Sequence, residues 1–383
     1  MAERSDFETH EVTNQPPPLE NHNLFTSDRA LMKAVAVNGA EWATERLTAY
    51  GAELGKTETI EQGRLANRFP PQLRTYDRFG HRIDEVEFHP AWHAIMTLAV
   101  GEGLHSAPWS DPRPGAHVAR AAAHFMHGQI EPGSLCPTSM TLGSVPALMR
   151  DPAIAKAWLP KIFSRAYDGS DRPVTEKICA LIGMGMTEKQ GGSDVRTNMT
   201  KAEPGESGGP GAAYRITGHK WFFSCPQIDA HLVLAQAPGG LSCFFMPKWL
   251  PDGTRNAIRI QRLKDKIGNR SNASSEVEFH NATGWLIGEE GRGVPTIIEM
   301  GNHTRLDCAL GSAGLMRAAL AQGAHHVRYR RAFQRHLIDQ PLMANVVADL
   351  AIESEAATHL SMRIARAFDL AGEDEREAAI RRF

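Results

Sequence analysis

The five cysteines, Cys136, Cys179, Cys225, Cys243 and Cys308, are odd in number and none stands in a C-x-x-C pair. That argues against a thiolate zinc site or a disulfide framework and favours a reducing compartment. No apolar run approaches the length of a membrane span. The N-terminus, MAERSDFETHEVTNQPPPLE, has no apolar signal core. The expected location is therefore the cytoplasm, with no membrane partner. Excess charge is missing as well. The net charge of -2 gives no overall pull toward nucleic acid or lipid. A fixed-period repeat is absent. His124 and His127 stand three apart, and His89 and His93 four apart, with no carboxylate cluster nearby. They read as helix-face or interface histidines, and no metal is expected.

With 383 residues, the chain exceeds what one core usually serves, so two or three domains are expected. Residues 1–30, with Pro16, Pro17 and Pro18, read as an extended arm lying on something else. Residues 31–177 read as helical: Val118, Ala122, Phe125 and Met126 share one face, and Pro108, Pro112, Pro114, Pro132 and Pro137 mark breaks. From 178 to 290 the texture changes. ALIGMGM, YRITGHKWFFS, HLVLAQA, LSCFFMP and SSEVEFH are short aromatic and β-branched runs between turn residues, which predicts an antiparallel barrel or sandwich. EPGESGGPGAA (203–213) reads as a mobile hairpin loop without a part in ligand binding. The helical period returns over 291–383, with one long segment to about Arg331. A second starts at Pro341, with the stripe Met343, Val347, Leu350, Ala357, Leu360, Ile364 and Phe368. Two long helices normally need more helices to close a core. No Gly or Pro cap follows REAAIRRF, so this last domain reads as incomplete.

The most informative stretch is MTEKQGGSDV (186–195). Gly191 and Gly192 allow close backbone approach, and Thr187 and Ser193 add hydroxyls beside free N–H groups. Such a loop either binds an anionic or carbonyl-rich ligand, a flavin among them, or simply turns a strand end capped by Asp194. GHKWFFS (218–224) adds a second strand with flat side chains and a terminal hydroxyl. An isoalloxazine ring needs that combination of apolar face and hydrogen-bonding edge. Aromatic strand residues also serve as plain core, and neither stretch decides alone.

Together, these motifs resemble the acyl-CoA dehydrogenase family. MTEKQGGSDV is similar to its T-E-x-x-A-G-S-D flavin loop and GHKWFFS to its G-x-K-x-W-I-T-N strand. KDKIGNRSNASSEVEF, IGEEGRGVPTIIEMGNHTRLDCALGSAG and RRAFQRHLIDQPLMANVVADL match later blocks in order, over roughly residues 85–383. NQPPPLENHNLFTSD, LANRFPPQL and GHKWFFSCPQIDAHLVLAQ resemble the AidB-like branch, induced in the adaptive response to DNA alkylation, along the whole chain. The resemblance implies an N-terminal helical domain, a middle antiparallel β-barrel and a C-terminal helical bundle, an α+β multidomain fold. It implies FAD as cofactor and a homo-oligomer, a dimer or tetramer. It places Met184, Met186 and Thr187 at the flavin ring, Gly192 and Ser193 in the loop toward the pyrophosphate, and Phe222, Phe223 and Ser224 along the ring face. Arg330, Phe333 and Gln340 would meet a neighbouring subunit's flavin. Lys189 stands for the family's usual Pro, and Gln334 for its Gly.

The implied chemistry is an FAD-dependent oxidation of an acyl-CoA at Cα–Cβ, which needs a carboxylate base. Where one branch carries that base, this chain has Thr304, before Arg305, and a threonine hydroxyl is no base at neutral pH. The family's usual W-E-G-[ST] block is not among these residues. The catalytic residue is thus unassigned, with Glu188 and Asp194 alternatives by type only. The rival is a flavin-bearing protein associated with double-stranded DNA and showing little turnover. The stretch 317–336 holds Arg317, Arg328, Arg330, Arg331 and Arg335 and no acid. It reads as a solvated face or subunit contact; the resemblance assigns DNA binding to a further C-terminal segment.

Overall fold

The Asp28 carboxylate accepts from the Leu31 amide at 3.0 Å. It thereby satisfies one of the donors that a helix start leaves free. The computed structural model describes residues 9–382, so the arm's first eight residues and Phe383 lie outside the described residues. After the cap come α1 (Arg29–Val37), α2 (Thr44–Leu54) and α3 (Thr57–Arg68). Then follow β1 (Gln72–Tyr76), β2 (Arg82–Glu87), α4 (Pro90–Glu102), α5 (Ala107–Ser110), α6 (Ala116–Gly128), α7 (Leu135–Leu148) and α8 (Pro152–Ile162). The β1–β2 hairpin interrupts a segment expected to be helical. Its first strand alternates exposed and half-buried side chains, the period of a strand. Pro137 does not break the chain as expected. It sits in the first turn of α7, where its missing N–H leaves no bond unmade.

Seven strands follow: β3 (Ile182–Gly185), β4 (Lys201–Pro204), β5 (Ala213–Ser224), β6 (Ala230–Ala237), β7 (Gly240–Pro247), β8 (Ile258–Leu263) and β9 (Ser274–Ile287). They form one sheet in the order β3-β6-β4-β5-β9-β7. β8 lies on β9, and a β6–β7 pairing closes the path. The sheet is not wholly antiparallel: β3 runs parallel to β6, and β4 meets β6 in parallel at one pair. Tyr214, Phe223, Phe244 and Phe279 fill its interior. Loop residues 205–212 are mostly exposed, although the Gly209 amide donates to the Tyr214 hydroxyl at 3.0 Å.

The chain ends in α9 (Gly293–Tyr329), the hairpin of β10 (Arg331–Ala332) and β11 (Arg335–His336), α10 (Pro341–Leu370) and α11 (Glu375–Arg382). The expected second long helix therefore breaks at residues 371–374. Its buried face also differs from the predicted stripe. Ser354, Thr358, Ser361, Met362, Ala365 and Phe368 are buried, whereas Leu360 is 62% exposed. Small residues there let α10 pack closely. α9 approaches its neighbours equally closely. A Cβ at Gly314 would lie 2.7 Å from the Phe125 carbonyl oxygen, and one at Gly143 would lie 2.9 Å from that of Met300.

Residues of the arm attach to the far half of α9 and the hairpin. His325 Nε2 pairs with the Pro17 carbonyl at 2.8 Å, Arg317 binds Asp28 at 2.9 Å, and Arg330 donates to the Asn14 carbonyl at 2.7 Å. The Asn14 side chain both donates to the Arg331 carbonyl and accepts from its amide, at 2.9 and 2.8 Å. Two of the five arginine side chains of 317–336, those of Arg317 and Arg330, are thus used by the arm, which holds Arg331 through its backbone alone.

Burial of histidine is unusually heavy. Desolvation lowers the pKa of His105 and His124 to about 4, and of His127, His231 and His303 to about 3. Each is neutral in the fold and takes up a proton on unfolding below its ordinary pKa of about 6.5. These contributions are complete above pH ~6.5 and fall as pH drops toward the folded values, by up to ~1.4 kcal/mol per pH unit for each group. Asp369, raised by burial to about 6, opposes them, as do Glu102 and Asp229, whose carboxyls burial also raises. Denaturant titrations are expected to show stability falling from pH 7 to pH 4.5 with net uptake of more than one proton on unfolding; a flat profile would contradict this account. A second expectation concerns the hairpin. Phe333 and Gln334 both have positive φ, 51° and 64°, as a two-residue type I′ turn requires and non-glycine residues resist. Gln334→Gly should raise stability by roughly 1 kcal/mol in thermal unfolding.

Candidate functional site

At the end of β3 the chain turns through MTEKQGGSDV. Glu188 ties this turn down. Its buried carboxylate accepts from Lys220 Nζ at 2.7 Å, the Met199 amide at 2.7 Å, the Thr200 amide at 3.2 Å and Gln190 Nε2 at 2.8 Å. Although burial alone would raise it, Lys220 and these donors bring its pKa down to about 2. The Thr187 carbonyl accepts from the Trp221 amide at 2.8 Å, stitching the turn to β5. A Cβ on Gly192 would lie 2.5 Å from Thr187 Oγ1, so only glycine lets the loop fold back onto that hydroxyl. Asp194 accepts from the Arg196 amide at 3.2 Å and its Nε at 3.0 Å, capping a short turn.

The turn borders a cavity of about 570 Å³ between sheet and helices. Met184, Met186 and Thr187 form one wall with Phe222 and Ser224 of β5. Opposite stand Thr304, Asp307, Cys308, Gly311, Ser312 and Leu315 of α9, spaced as one helix face. Leu135, Cys136, Ser139 and Met140 of α7, with His124 of α6, close the floor. Five expected ligand-site residues therefore meet: Met184, Met186, Thr187, Phe222 and Ser224. Gly192 abuts Thr187, and Ser193 is exposed on the loop beyond. Phe223 is not brought to this wall. Its side chain is buried in the barrel, stacked on His231 with ring centroids 3.8 Å apart. Successive strand residues face opposite sides, so Phe222 and Ser224 share the cavity and Phe223 cannot. Arg330, Phe333 and Gln340 lie at the distant end of α9. Arg330 is some 22 Å along the axis from Leu315, at 1.5 Å per residue. Phe333 is 94% exposed there, and Gln340 Nε2 donates to the Ala332 carbonyl at 3.4 Å.

The cavity's acid–base chemistry is restricted. Thr304 lies on the wall with its hydroxyl given to the Gly301 carbonyl at 3.0 Å. Glu188 and Asp194 are not in the lining. Asp307 is the one carboxylate that is, and it is committed to Arg120, which binds it through both terminal nitrogens, the NH2–Oδ2 pair at 2.8 Å. Arg120 and His124 outweigh burial and hold its pKa to about 2. Among the described residues, no lining carboxylate is free to act as a base.

Sequence reasoning missed Asp307, His124, Cys136, Ser139 and Cys308. From the sequence, His124 reads as a helix-face or interface residue. Its Nδ1 lies 3.8 Å from Asp307 and has no hydrogen-bond partner. Arg120 one turn earlier was the available signal, because a buried arginine demands a carboxylate. His127 belongs to a separate core network with the Tyr50 hydroxyl (2.7 Å) and Ser134 Oγ (2.8 Å). A second cavity, also about 570 Å³, lies beyond Pro137. Its charges are largely paired internally, Lys177 with Asp229 at 2.7 Å and Lys248 with Asp171 at 3.0 Å. Among the described residues, no cluster of three or more metal-ligating side chains occurs, and no helix is long and apolar enough to cross a membrane.

Comparison with known proteins extends this geometry. Residues 14–169 match the adaptive response protein AidB N-terminal domain. Residues 183–282 and 291–382 match the middle and C-terminal domains of acyl-CoA dehydrogenases. AidB of Escherichia coli (strain K12) is 53% identical over 365 residues, covering 95% of this chain and 67% of that protein. The crystal structure of Caenorhabditis elegans ACDH-11 in complex with C11-CoA superposes with a TM-score of 0.87 at 26% identity, covering 100% of this chain and 67% of that one. An acyl-CoA dehydrogenase of Bacillus anthracis complexed with FAD shares the fold alone, at TM-score 0.60 and 20% identity over 76% of this chain. The chain spans about two thirds of the first two relatives. It belongs to the acyl-CoA dehydrogenase family and carries an AidB-type N-terminal domain.

Proposed function

We propose that this chain binds FAD in the cavity between the sheet and α9, as an AidB-like member of its family. The observation that carries the reading is the cavity wall itself. Met184, Met186 and the half-exposed Phe222 offer an apolar face, and Thr187 and Ser224 set hydroxyls along the same wall. A flat heterocycle with one polar edge suits that wall. Gly192 and Ser193 would lie toward the pyrophosphate, where Gly192 lets the loop fold against Thr187. When bound, the flavin supplies a two-electron acceptor. The protein's part is to hold the ring and to seat an acyl thioester against α7 and α9. The ligand of C. elegans ACDH-11, C11-CoA, supports that substrate class. A role in the response to DNA alkylation rests on the likeness to AidB.

The functional units in this reading are an arm (1–30), a helical domain (31–177), the barrel (178–290) and a C-terminal helical domain (291–383). Arg330, Phe333 and Gln340 serve a subunit contact in a homo-oligomer. Direct DNA binding through 317–336 is not favoured, because the arm engages the side chains of Arg317 and Arg330. Among the described residues, the cavity offers no base for Cα proton removal, since the Thr304 hydroxyl is none at neutral pH and Asp307 is held by Arg120.

Two outcomes are expected. Thr187→Val with Ser224→Ala should lower FAD occupancy, each lost hydrogen bond costing about 1 kcal/mol; unchanged occupancy and an unchanged flavin spectrum would count against the placement. Residues 1–383 loaded with FAD and mixed anaerobically with acyl-CoA substrates should show no flavin bleaching near the 1 per second or faster typical of enzymes. Bleaching at roughly that rate would place a base within these residues and overturn that part of the proposal.

A further inference from the structure

The second cavity, the one beyond Pro137, has no part in the function proposed above. At about 570 Å³ it has the size that small-molecule sites ordinarily have. Strand β2, helix α4, the segment 167–171, the residues leading into β6 and Lys248 after β7 border it. Phe88 and Trp92, stacked with ring centroids 5.0 Å apart, line it together with Met96 and Ile228.

The segment 167–171 forms no helix or strand, yet side chains fix it on both sides. His93 Nδ1 pairs with the Tyr167 hydroxyl at 3.1 Å, which ties the segment to α4. Asp168 accepts from the Ser170 and Ile178 amides, each at 3.0 Å. Lys177 Nζ donates to the Ser170 carbonyl and to Asp229, both at 2.7 Å. Asp171 takes Lys248 at 3.0 Å and the Trp249 indole N–H at 2.7 Å. The Lys177 and Asp229 side chains are only 4% and 9% exposed. Neither can leave without stranding the other as a buried charge, so the wall is held in one place.

Two features of the lining lack a counterpart. Gln227 Oε1 is shielded from water and has no hydrogen-bond partner, although buried carbonyls are ordinarily paired. The second feature is charge. Five carboxylates line the cavity, Glu85, Glu87, Asp168, Asp171 and Asp229, against two ammonium groups, Lys177 and Lys248. Both lysines are already given to Asp229 and Asp171. Glu85 and Glu87 share one cation, Arg74, at 3.2 and 2.8 Å from outside the lining. Among the described residues, Asp168 accepts from neutral groups alone, the Ser170 hydroxyl at 2.6 Å included. Acceptors are therefore in surplus beside a stacked aromatic pair. A phosphate would meet mainly carboxylates here, which sets this cavity apart from the ligands proposed for the first one.

We propose that this second cavity binds a small organic cation, an ammonium group carried on a flat apolar body. The ammonium supplies the donors that Gln227 Oε1 and the surplus carboxylates lack, and the body is buried against Phe88, Trp92, Met96 and Ile228. Aromatic rings beside a cation add to the preference for positive charge. Selectivity comes from the lining carboxylates, which repel an anion of the same shape.

The test uses the intact purified protein with whatever flavin it carries, and phenethylamine as the probe. Its charge-reversed counterpart is 3-phenylpropionate. In ligand-observed NMR titrations at low salt, phenethylamine should bind saturably, about tenfold or more tighter than 3-phenylpropionate. Gln227→Leu should weaken phenethylamine roughly tenfold. Should that variant fail to fold, the surface double variant Glu85→Gln with Glu87→Gln decides, with a loss of about threefold or more. Thr187→Val with Ser224→Ala should leave the probe's affinity unchanged, which separates this site from the flavin placement. Absent or unsaturable binding, equal affinity for 3-phenylpropionate, or affinity undiminished in the folded Gln227 and Glu85/Glu87 variants would overturn the proposal. So would loss of the probe in the Thr187/Ser224 variant, because it would place phenethylamine in the other cavity.

Discussion

The ion pair between Glu188 and Lys220 is the contact on which the cavity depends. Both side chains are fully removed from water, where an unpaired carboxylate or ammonium would be prohibitively costly. The carboxylate is repaid by four donors drawn from three segments: the turn itself, residues 199–200 and β5. Those segments carry Met186 and Thr187 on one side and Phe222 and Ser224 on the other. Moving either wall would leave a buried charge short of partners, so the relative position of the two strands is enforced electrostatically. Gly192 completes the arrangement by letting the loop fold against Thr187.

A second buried pair governs the opposite wall. Arg120 reaches from α6 to α9, grips Asp307 and donates through Nε to the Leu104 carbonyl at 2.7 Å. This fixes the register of the α9 face that lines the cavity. It also disarms the one carboxylate there, because a group held by a bidentate arginine stays ionised and is a poor proton acceptor. His124 beside it is kept neutral by burial. The helical side of the cavity is thus polar in composition but close to neutral in effect.

Much of this was legible in the sequence, and what was not has definite causes. The loop was readable because its function needs local features, two glycines and hydroxyls beside a strand end. The facing of β5 was not. Lys220 and Phe223 are both buried, three residues apart, and a register shift between them inverts the alternation. Nothing in WFFS announces that bulge, and the family resemblance places Phe222, Phe223 and Ser224 alike on the ligand wall. The stripe of α10 failed for another reason. Hydrophobicity pointed to Leu350 and Leu360, but close helix packing selected Ser354, Thr358 and Ser361 instead, leaving the leucines exposed. His124, Cys136, Ser139 and Asp307 stayed hidden because only tertiary packing brings α6, α7 and α9 together around one space.

The placement of the remaining charge supports the proposed ligand class. Lys264 Nζ lies 3.2 Å from the centroid of the Trp221 ring, and Arg262 and Lys189 flank the same ring at 5.8 and 5.7 Å. Glu276 compensates Arg262 and Lys264 together, at 2.7 Å to each. Two cations thus share one carboxylate. Lys189 adds a further positive charge where the family's usual proline would add none. Lys264 Nζ also lies 4.6 Å from the centroid of the Phe222 ring, so this cationic rim borders the apolar wall of the cavity. A ligand with a flat, weakly charged head and an anionic tail matches both regions at once: the head gains from apolar burial, and the tail meets cations that water still reaches. FAD has that division, and acyl-CoA divides likewise into an apolar acyl end and an anionic nucleotide end. A compact dianion would find the cations but not the apolar wall, and a plain fatty chain would find the wall but leave the cations idle.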